Sequence, residues 1–549
     1  MIIIGHIVDV LNEQIFNGRI VIESGKIKTI EPCEGVGNDA AYILPGFVDS
    51  HIHIESTLMT PQTFASVAVR QGTVAVATDP HEITNVLGRK GIDFMLENAS
   101  TSSVCFSFGI PSCVPSTPFE TAGATITSVD VAELLPSKEF YGLAEMMNFP
   151  GVLANDAEVM KKIELTLAAG KVVDGHAPGV TGDAAANYVK AGITTDHELY
   201  DINHARERIA LGQKVQIREG SAACNFNELA PLLADDSNKG KLMFCTDDIY
   251  PDELLKGHIN TLVSRAIAQG YPLWNVLNAA CVTPVRHYSL PTGLLQKGDR
   301  ADFILVDNLS DFKVKATYIA GNCLYQAGTE MPKPEPQADC PNCFNAHPVQ
   351  KDDLKVAAPK AGAKMRVIVA EDGSLYTRKM LLDPKVDAGC CVSDTDRDLL
   401  KIVILNRYAE APCSIGFVHG FGLKRGALAS TIAHDSHNII AVGADDESLS
   451  RVINRLVEMT GGLCVTDGEP NGRIADLALP IAGLMSPLPA EEIALKYQQV
   501  KTLACELGCP FAAPFMTLAF MALPVIPELK ITDKYLFDVE KFERTDLFV

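Results

Sequence analysis

From about residue 46 to residue 289 the chain repeats one theme: a short apolar run ends in polar residues and gives way to a stretch with helical periodicity. Eight runs can be placed: Phe47–Ser56, Thr73–His81, Val104–Cys113, Phe140–Met147, Lys171–Gly179, Ile193–Leu199, Lys214–Ala222 and Leu242–Asp248. Between most of them lie helical patterns such as Glu82–Ala99, Ala154–Ala169, Gly182–Lys190 and Asn203–Leu211. Strands alternating with helices imply parallel pairing through helical crossovers. Eight such units in this length predict a closed (β/α)₈ barrel. The rival, an open doubly wound sheet, lacks its glycine-rich phosphate loop after an early strand.

The flanks follow a different rhythm. Residues 1–45 and 290–330 hold short alternating β segments with turns, such as Gly18–Ile22, Ala301–Val306 and Thr317–Ala320. They predict a small composite β-sandwich built from both ends of the barrel, since domain termini often lie close together. Met331–Lys364, with its prolines and lysines, reads as a linker or insertion. Residues 365–549 restart with strand-like MRVIVAED and KIVILNRY, followed by a strand–helix–strand pattern beginning NIIAVG, and predict an additional C-terminal α/β domain.

Composition narrows the function classes. The 549 residues exceed one core's usual reach, and a formal net charge of −21 leaves no basic stripe for nucleic acid. The N-terminus MIIIGHIVDV has no basic region ahead of an apolar one, and no stretch approaches bilayer-spanning length. The fifteen scattered cysteines read as reduced thiols. A cytoplasmic enzyme with a small-molecule substrate is expected, with no nucleic-acid or membrane partner.

In PGFVDSHIHIES, His51 and His53 stand two apart on a strand, so both imidazoles share a face. Such a pair chelates a divalent metal, although His-X-His alone is weak evidence. The remaining run ends strengthen it: Glu145 closes the fourth, His176 the fifth, His197 the sixth and Asp247 the eighth. C-terminal strand ends of a barrel meet on one face, where active sites are built. Six ligand-type residues at five such ends converge there more readily than they arise as separate satisfied loop residues.

That order of residues resembles the amidohydrolase superfamily, and the tail NVLNAACVTPVRHYSLPTGLLQKGDRADFILVD resembles its exit from barrel to β-sandwich. Within it, PGFVDSHIHIES, ATDPHEITNVLG and AHDSHNIIAVG are similar to the bacterial adenine deaminases over nearly the whole chain. The resemblance implies a binuclear centre of Mn²⁺ or Fe²⁺: His51, His53, Glu145 and Asp247 on one ion, Glu145, His176 and His197 on the other. It implies hydrolysis of adenine by water to hypoxanthine and ammonia, with Asp247 moving the proton from water to the leaving amine. A homo-oligomer, dimer or larger, is also expected. Another hydrolase on the same barrel, such as an N-acetyl sugar deacetylase, is the alternative, with Arg218 as its one obvious phosphate-binding cation. A non-catalytic metal-binding scaffold is a third.

Further groups enter as candidates beside Asp247. Glu82 and Glu219 are read as catalytic, and Glu55, His81 and Glu219 as substrate-binding. Glu55, two residues past His53, is expected on the metal face, either at the purine edge or only bracing His53 as a hydrogen-bond acceptor. Asp79 and His81 either serve an additional metal or form a cap and turn. His419–Gly422 and His434–Asn438 belong by the resemblance to the family-specific domain, where they either help cover the barrel mouth or, the reading preferred here, form strand-terminating turns, with His434 and His437 not taken as ligands. Cys340 and Cys343, with only His347 nearby, fall short of a zinc site, and their distance from His53-Ile-Glu55 excludes the cytidine-deaminase pattern.

Overall fold

A computed structural model describes residues 1–329 and 339–549. Four strands open the chain: β1 (Ile2–Asp9), β2 (Gln14–Glu23), β3 (Lys26–Pro32) and β4 (Tyr42–Pro45). The barrel strands follow as β5 (Phe47–Ile52), β6 (Thr73–Thr78), β7 (Cys105–Ile110), β8 (Phe140–Met146), β9 (Val172–Gly175), β10 (Thr195–Asp196), β11 (Lys214–Arg218) and β12 (Leu242–Cys245). Each falls inside one of the eight runs read from the sequence. β5 to β9 pair in parallel, as do β10 to β12. The Thr194 amide bonds the Val173 carbonyl at 2.8 Å to join the two groups. The ring closes where Asp247 donates to the His51 carbonyl at 2.9 Å and accepts from the His53 amide at 3.1 Å. β5 and β6 are buried at every position, as parallel strands covered on both faces must be.

Crossover helices start on local signals. Thr60 accepts the Thr63 amide ahead of Pro61–Ala68, whose proline occupies a position where no amide partner is needed. Asp201 caps Ile202–Leu211 in the same way.

β13 (Phe303–Val306), β14 (Val314–Ile319) and β15 (Asn322–Gln326) return from the barrel and join β1 to β4 in one seven-stranded sheet, ordered β15-β14-β13-β4-β1-β2-β3. Of the segment read as a linker, residues 331–338 lie outside the described residues. Its later part packs against the C-terminal sheet, with Val349 and Leu354 buried beside Ile439 and Leu449.

The C-terminal domain is built on an eight-stranded mixed sheet. In it Ile439–Gly443 and Gly462–Thr466, the strands of the predicted strand–helix–strand unit, flank Ala427–Ser430 and run antiparallel to it. The connecting helix Asp446–Met459 is capped by Asp445, which accepts the Ser448 amide at 2.7 Å. One apolar cluster runs from Leu58 and Met59 of the barrel into Met485 and Phe515 of this domain, so no water layer separates them. Among the described residues no helix is long and apolar enough to cross a membrane.

Candidate active site

The strand ends bring His51, His53, Glu145, His176, His197 and Asp247 into one buried cluster, each at most 6 % exposed. Glu145 is its hub. Its Oε1 lies 3.3 Å from His53 Nε2 and 4.0 Å from His51 Nε2. Its Oε2 lies 2.8 Å from His176 Nδ1 and 3.1 Å from His197 Nε2. Each carboxylate oxygen therefore faces its own pair of imidazoles. Opposite stands Asp247, with Oδ1 3.2 Å from His53 Nε2 and Oδ2 3.4 Å from His197 Nε2. Asp247 has φ +56°, a left-handed conformation that Asp tolerates better than most side chains. Backbone strain of this kind concentrates at functional sites.

Burial pushes the Glu145 carboxyl upward, but His176, His197 and His53 outweigh it and hold the group well below the usual carboxylate range. Asp247 is likewise held low against burial, chiefly by Arg218 and His197. His197, opposed by burial but facing Asp247 and Glu145, is lifted to about 9. His51 goes the other way: burial and His197 depress it well below its ordinary value.

These residues fit a divalent metal. His53 Nδ1 is 3.0 Å from the Asp79 carbonyl, which can only accept, so Nδ1 carries the hydrogen and the Nε2 lone pair faces two carboxylate oxygens. A divalent cation between them would answer both carboxylates and the imidazole. His51 Nε2 and His176 Nε2 are buried without hydrogen-bond partners. Spacings of about 3–4 Å between such atoms are those of neighbouring ligands on one ion.

Around this cluster the structure sorts the remaining candidates. His81 lines the same cavity, with Nδ1 3.0 Å from Asp79 Oδ2 and 3.6 Å from Glu145 Oε1. Glu82 lines it too. Glu55 is displaced from the expected face. The strand stops at Ile52, and Ile54–Thr57 forms a 3₁₀ turn, so alternation by two no longer applies; Glu55 accepts the Ile83 amide at 3.2 Å and supports the turn from behind. Glu219 does not join the site. It follows Arg218 on β11, points to the opposite side, and is ion-paired with Arg265.

Several site residues carry another role, or none, in the sequence reading. Arg218 is fully buried and held by Glu198, by Asp247 at 2.7 Å and by Asp248 at 3.5 Å, which occupies it internally. Glu198 and Asp248, each immediately after a recognised ligand, line the cavity. His434 and Asp435, read as part of a strand-terminating turn, also line it, with Asp435 Oδ1 3.8 Å from His81 Nε2. Cys340 and Cys343 are free thiols and belong to no cluster of metal-ligand side chains among the described residues.

The C-terminal domain supplies the apolar part of the wall through Leu375, Phe520 and Leu523. The His434 ring stacks on Phe520 at 5.4 Å between centroids. Lys530, fully buried, donates to the Leu375 carbonyl at 2.7 Å and the Phe520 carbonyl at 3.0 Å, tying both segments of that wall together. Burial alone lowers its ammonium from near 10.5 to about 7. Below pH 7 folded and unfolded chains both bind this proton, and the fold bears the full desolvation cost. Between 7 and 10.5 only the unfolded chain binds it, so stability rises with pH, by up to ~1.4 kcal/mol per pH unit. The melting temperature of the wild type is therefore expected to gain on that of Lys530→Met between pH 7 and pH 10; parallel curves would refute the buried-ammonium assignment.

Comparison with known proteins fits this geometry. Residues 42–324 match the amidohydrolase family, and residues 374–543 match the adenine deaminase C-terminal domain. An adenine deaminase of Methanosarcina mazei is 48 % identical over 99 % of both chains. That of Methanosarcina barkeri is 49 % identical over 99 % of this chain and 98 % of its own. This chain belongs to the adenine deaminase family. Its fold is the amidohydrolase barrel with an additional C-terminal sheet domain, and membership implies use of a divalent metal. Among solved structures, an N-acetyl-D-glucosamine-6-phosphate deacetylase from Mycobacterium smegmatis superposes with a TM-score of 0.46 at 18 % identity, over 59 % of this chain and all of its own. The family's C-terminal domain is the part that carries His434, Asp435 and Phe520 to the barrel mouth.

Proposed function

We infer that this chain hydrolyses the exocyclic C–N bond of adenine, releasing ammonia and leaving hypoxanthine, a purine-salvage reaction. The observation that carries the reading is a two-sided ligand cluster centred on Glu145 in a chain similar along its whole length to adenine deaminases. Two ions, manganese or iron, held by His51, His53, Glu145 and Asp247 and by Glu145, His176 and His197, would supply Lewis acidity and lower the pKa of the attacking water.

The chain's own groups do the rest. Asp247, kept ionised by Arg218, takes one proton from the water that adds to C6 and delivers it to the departing amine, while the water's second proton ends on the ring nitrogen N1 as the C6 carbonyl forms. Water and adenine in, hypoxanthine and ammonia out, the protons balance. Leu375, Phe520 and Leu523 offer the flat ring an apolar wall, and Met147 adds to it. Glu198 keeps one buried oxygen, Oε2, without a partner, and this reading gives it a ring N–H. His81 lines the cavity beside Glu145. The sugar-deacetylase alternative loses its phosphate anchor, since Arg218 is engaged by three carboxylates.

The test is ammonia release from purified, manganese- or iron-loaded protein given adenine, with adenosine and cytosine as comparators and chelated protein as blank. Metal-dependent release from adenine alone is expected. Silence on adenine with metal content verified would discard the substrate, and N-acetylated sugars would be assayed next.

A further inference from the structure

The segment from Thr431 to Asn438 reaches from the C-terminal domain into the barrel mouth, where Asn438 donates to the Thr121 carbonyl at 2.9 Å. Its two histidines approach Glu82, which opens the helix His81–Leu87 after β6. His437 is fully buried, and its Nε2 has no hydrogen-bond partner. That atom is 3.9 Å from Glu82 Oε2, which is also buried and without a partner. His434 Nδ1 lies 3.6 Å from Glu82 Oε1. These gaps are too long for hydrogen bonds. They suit donors that share an ion about 2 Å from each.

Charge leads to the same place. Glu82 is 1 % exposed, with the carboxylates of Asp248 and Glu55 close enough to push its own carboxyl up along with burial. The single hydroxyl hydrogen of Ser56 is claimed by two acceptors, Asp248 Oδ1 at 2.6 Å and Glu82 Oε1 at 3.1 Å. Arg218, the one guanidinium or ammonium among the described residues lining this cavity, is held by Glu198, Asp247 and Asp248. Glu82 is thus a buried carboxyl that no lysine or arginine among the described residues reaches within this cavity, with one shared hydroxyl at Oε1 and no hydrogen-bond partner at Oε2. Leaving both Glu82 Oε2 and His437 Nε2 unpartnered is a cost that a shared ligand removes.

We propose that Glu82, His434 and His437 form a further divalent-cation site, separate in its residues from the Glu145 cluster, that joins the C-terminal domain to the barrel. Two imidazoles and one carboxylate select a borderline cation of the Mn²⁺, Fe²⁺ or Zn²⁺ kind over Ca²⁺ or Mg²⁺. Because its ligands come from residues far apart in sequence, the ion fixes the segment that presents Asp435 to His81. The competing account is a polar contact: the Ala433 amide reaches His437 Nδ1 at 3.4 Å, which would place the ring hydrogen on Nε2, facing Glu82.

The experiment is metal analysis of the full chain saturated with Zn²⁺ or Mn²⁺ and freed of excess, together with anomalous scattering from crystals of the same wild-type protein. His437→Ala and His434→Ala are each expected to hold one equivalent less than wild type, and an anomalous peak is expected between Glu82, His434 and His437. A wild-type map with no peak there overturns the proposal even if both variants fail to fold, and so do folded variants that retain the wild-type metal content. The stoichiometry leans on the two-ion reading of the Glu145 cluster; the peak position does not, so loss of that reading alone would leave a peak at Glu82.

Discussion

Asp247→Asn is expected to keep its metal and lose turnover by roughly 10²–10⁴-fold, the span of a lost acid–base group. The substitution is nearly isosteric, and an amide oxygen still faces His53 from the place of Oδ1, 3.2 Å away. What disappears is a group able to accept a proton. In the wild type Arg218, 2.7 Å from Oδ2, and His197 hold this carboxylate well below its ordinary range despite complete burial. It therefore enters the reaction ionised and ready to receive. The amide presents an N–H or a weakly basic oxygen to the guanidinium and can neither take nor return the proton. Steady-state ammonia release and metal analysis on one preparation decide the matter. Full turnover would remove Asp247 from proton transfer. Turnover and metal falling together would make it a ligand and nothing more.

The barrel was legible because its strands are buried on both faces and so appear as uninterrupted apolar runs, each ending where side chains turn toward the mouth. His51 and Glu145 could be placed from those ends alone. Where reading by alternation overran the strand it failed: Glu55 falls beyond Ile52 in a 3₁₀ turn, and Glu219 is one position past the inward-facing Arg218. Arg218 itself was noticed as a cation and given the wrong partner class, because nothing local tells a free guanidinium from one claimed by Glu198, Asp247 and Asp248. His434 and Asp435 were missed for a different reason. Their meaning lies in contacts with Glu82 and His81, residues more than three hundred positions away, and the local pattern of Asp, Ser and Asn beside a strand is the same for a simple turn.

Glu145→Gln is expected to release metal and, with it, essentially all activity. The side chain keeps its size and its place on β8, but four imidazoles of the cluster depend on its charge: His53 and His51 at Oε1, His176 and His197 at Oε2. A neutral amide offers a single oxygen where two face separate histidine pairs, and its NH₂ end turns a donor toward nitrogen atoms that must themselves present lone pairs to an ion. A carboxylate can bridge two dications; an amide does so poorly. The loss should be steep rather than graded, because removing a charge from a buried, mutually neutralising set strands its partners. Metal content after gel filtration is the readout, with circular dichroism confirming that the barrel stands. If Glu145→Gln retained the wild-type complement of ions, Glu145 would not bridge them, and the ligand sets of the two ions would have to be redrawn around His51, His197 and Asp247, which already meet within 4.8 Å.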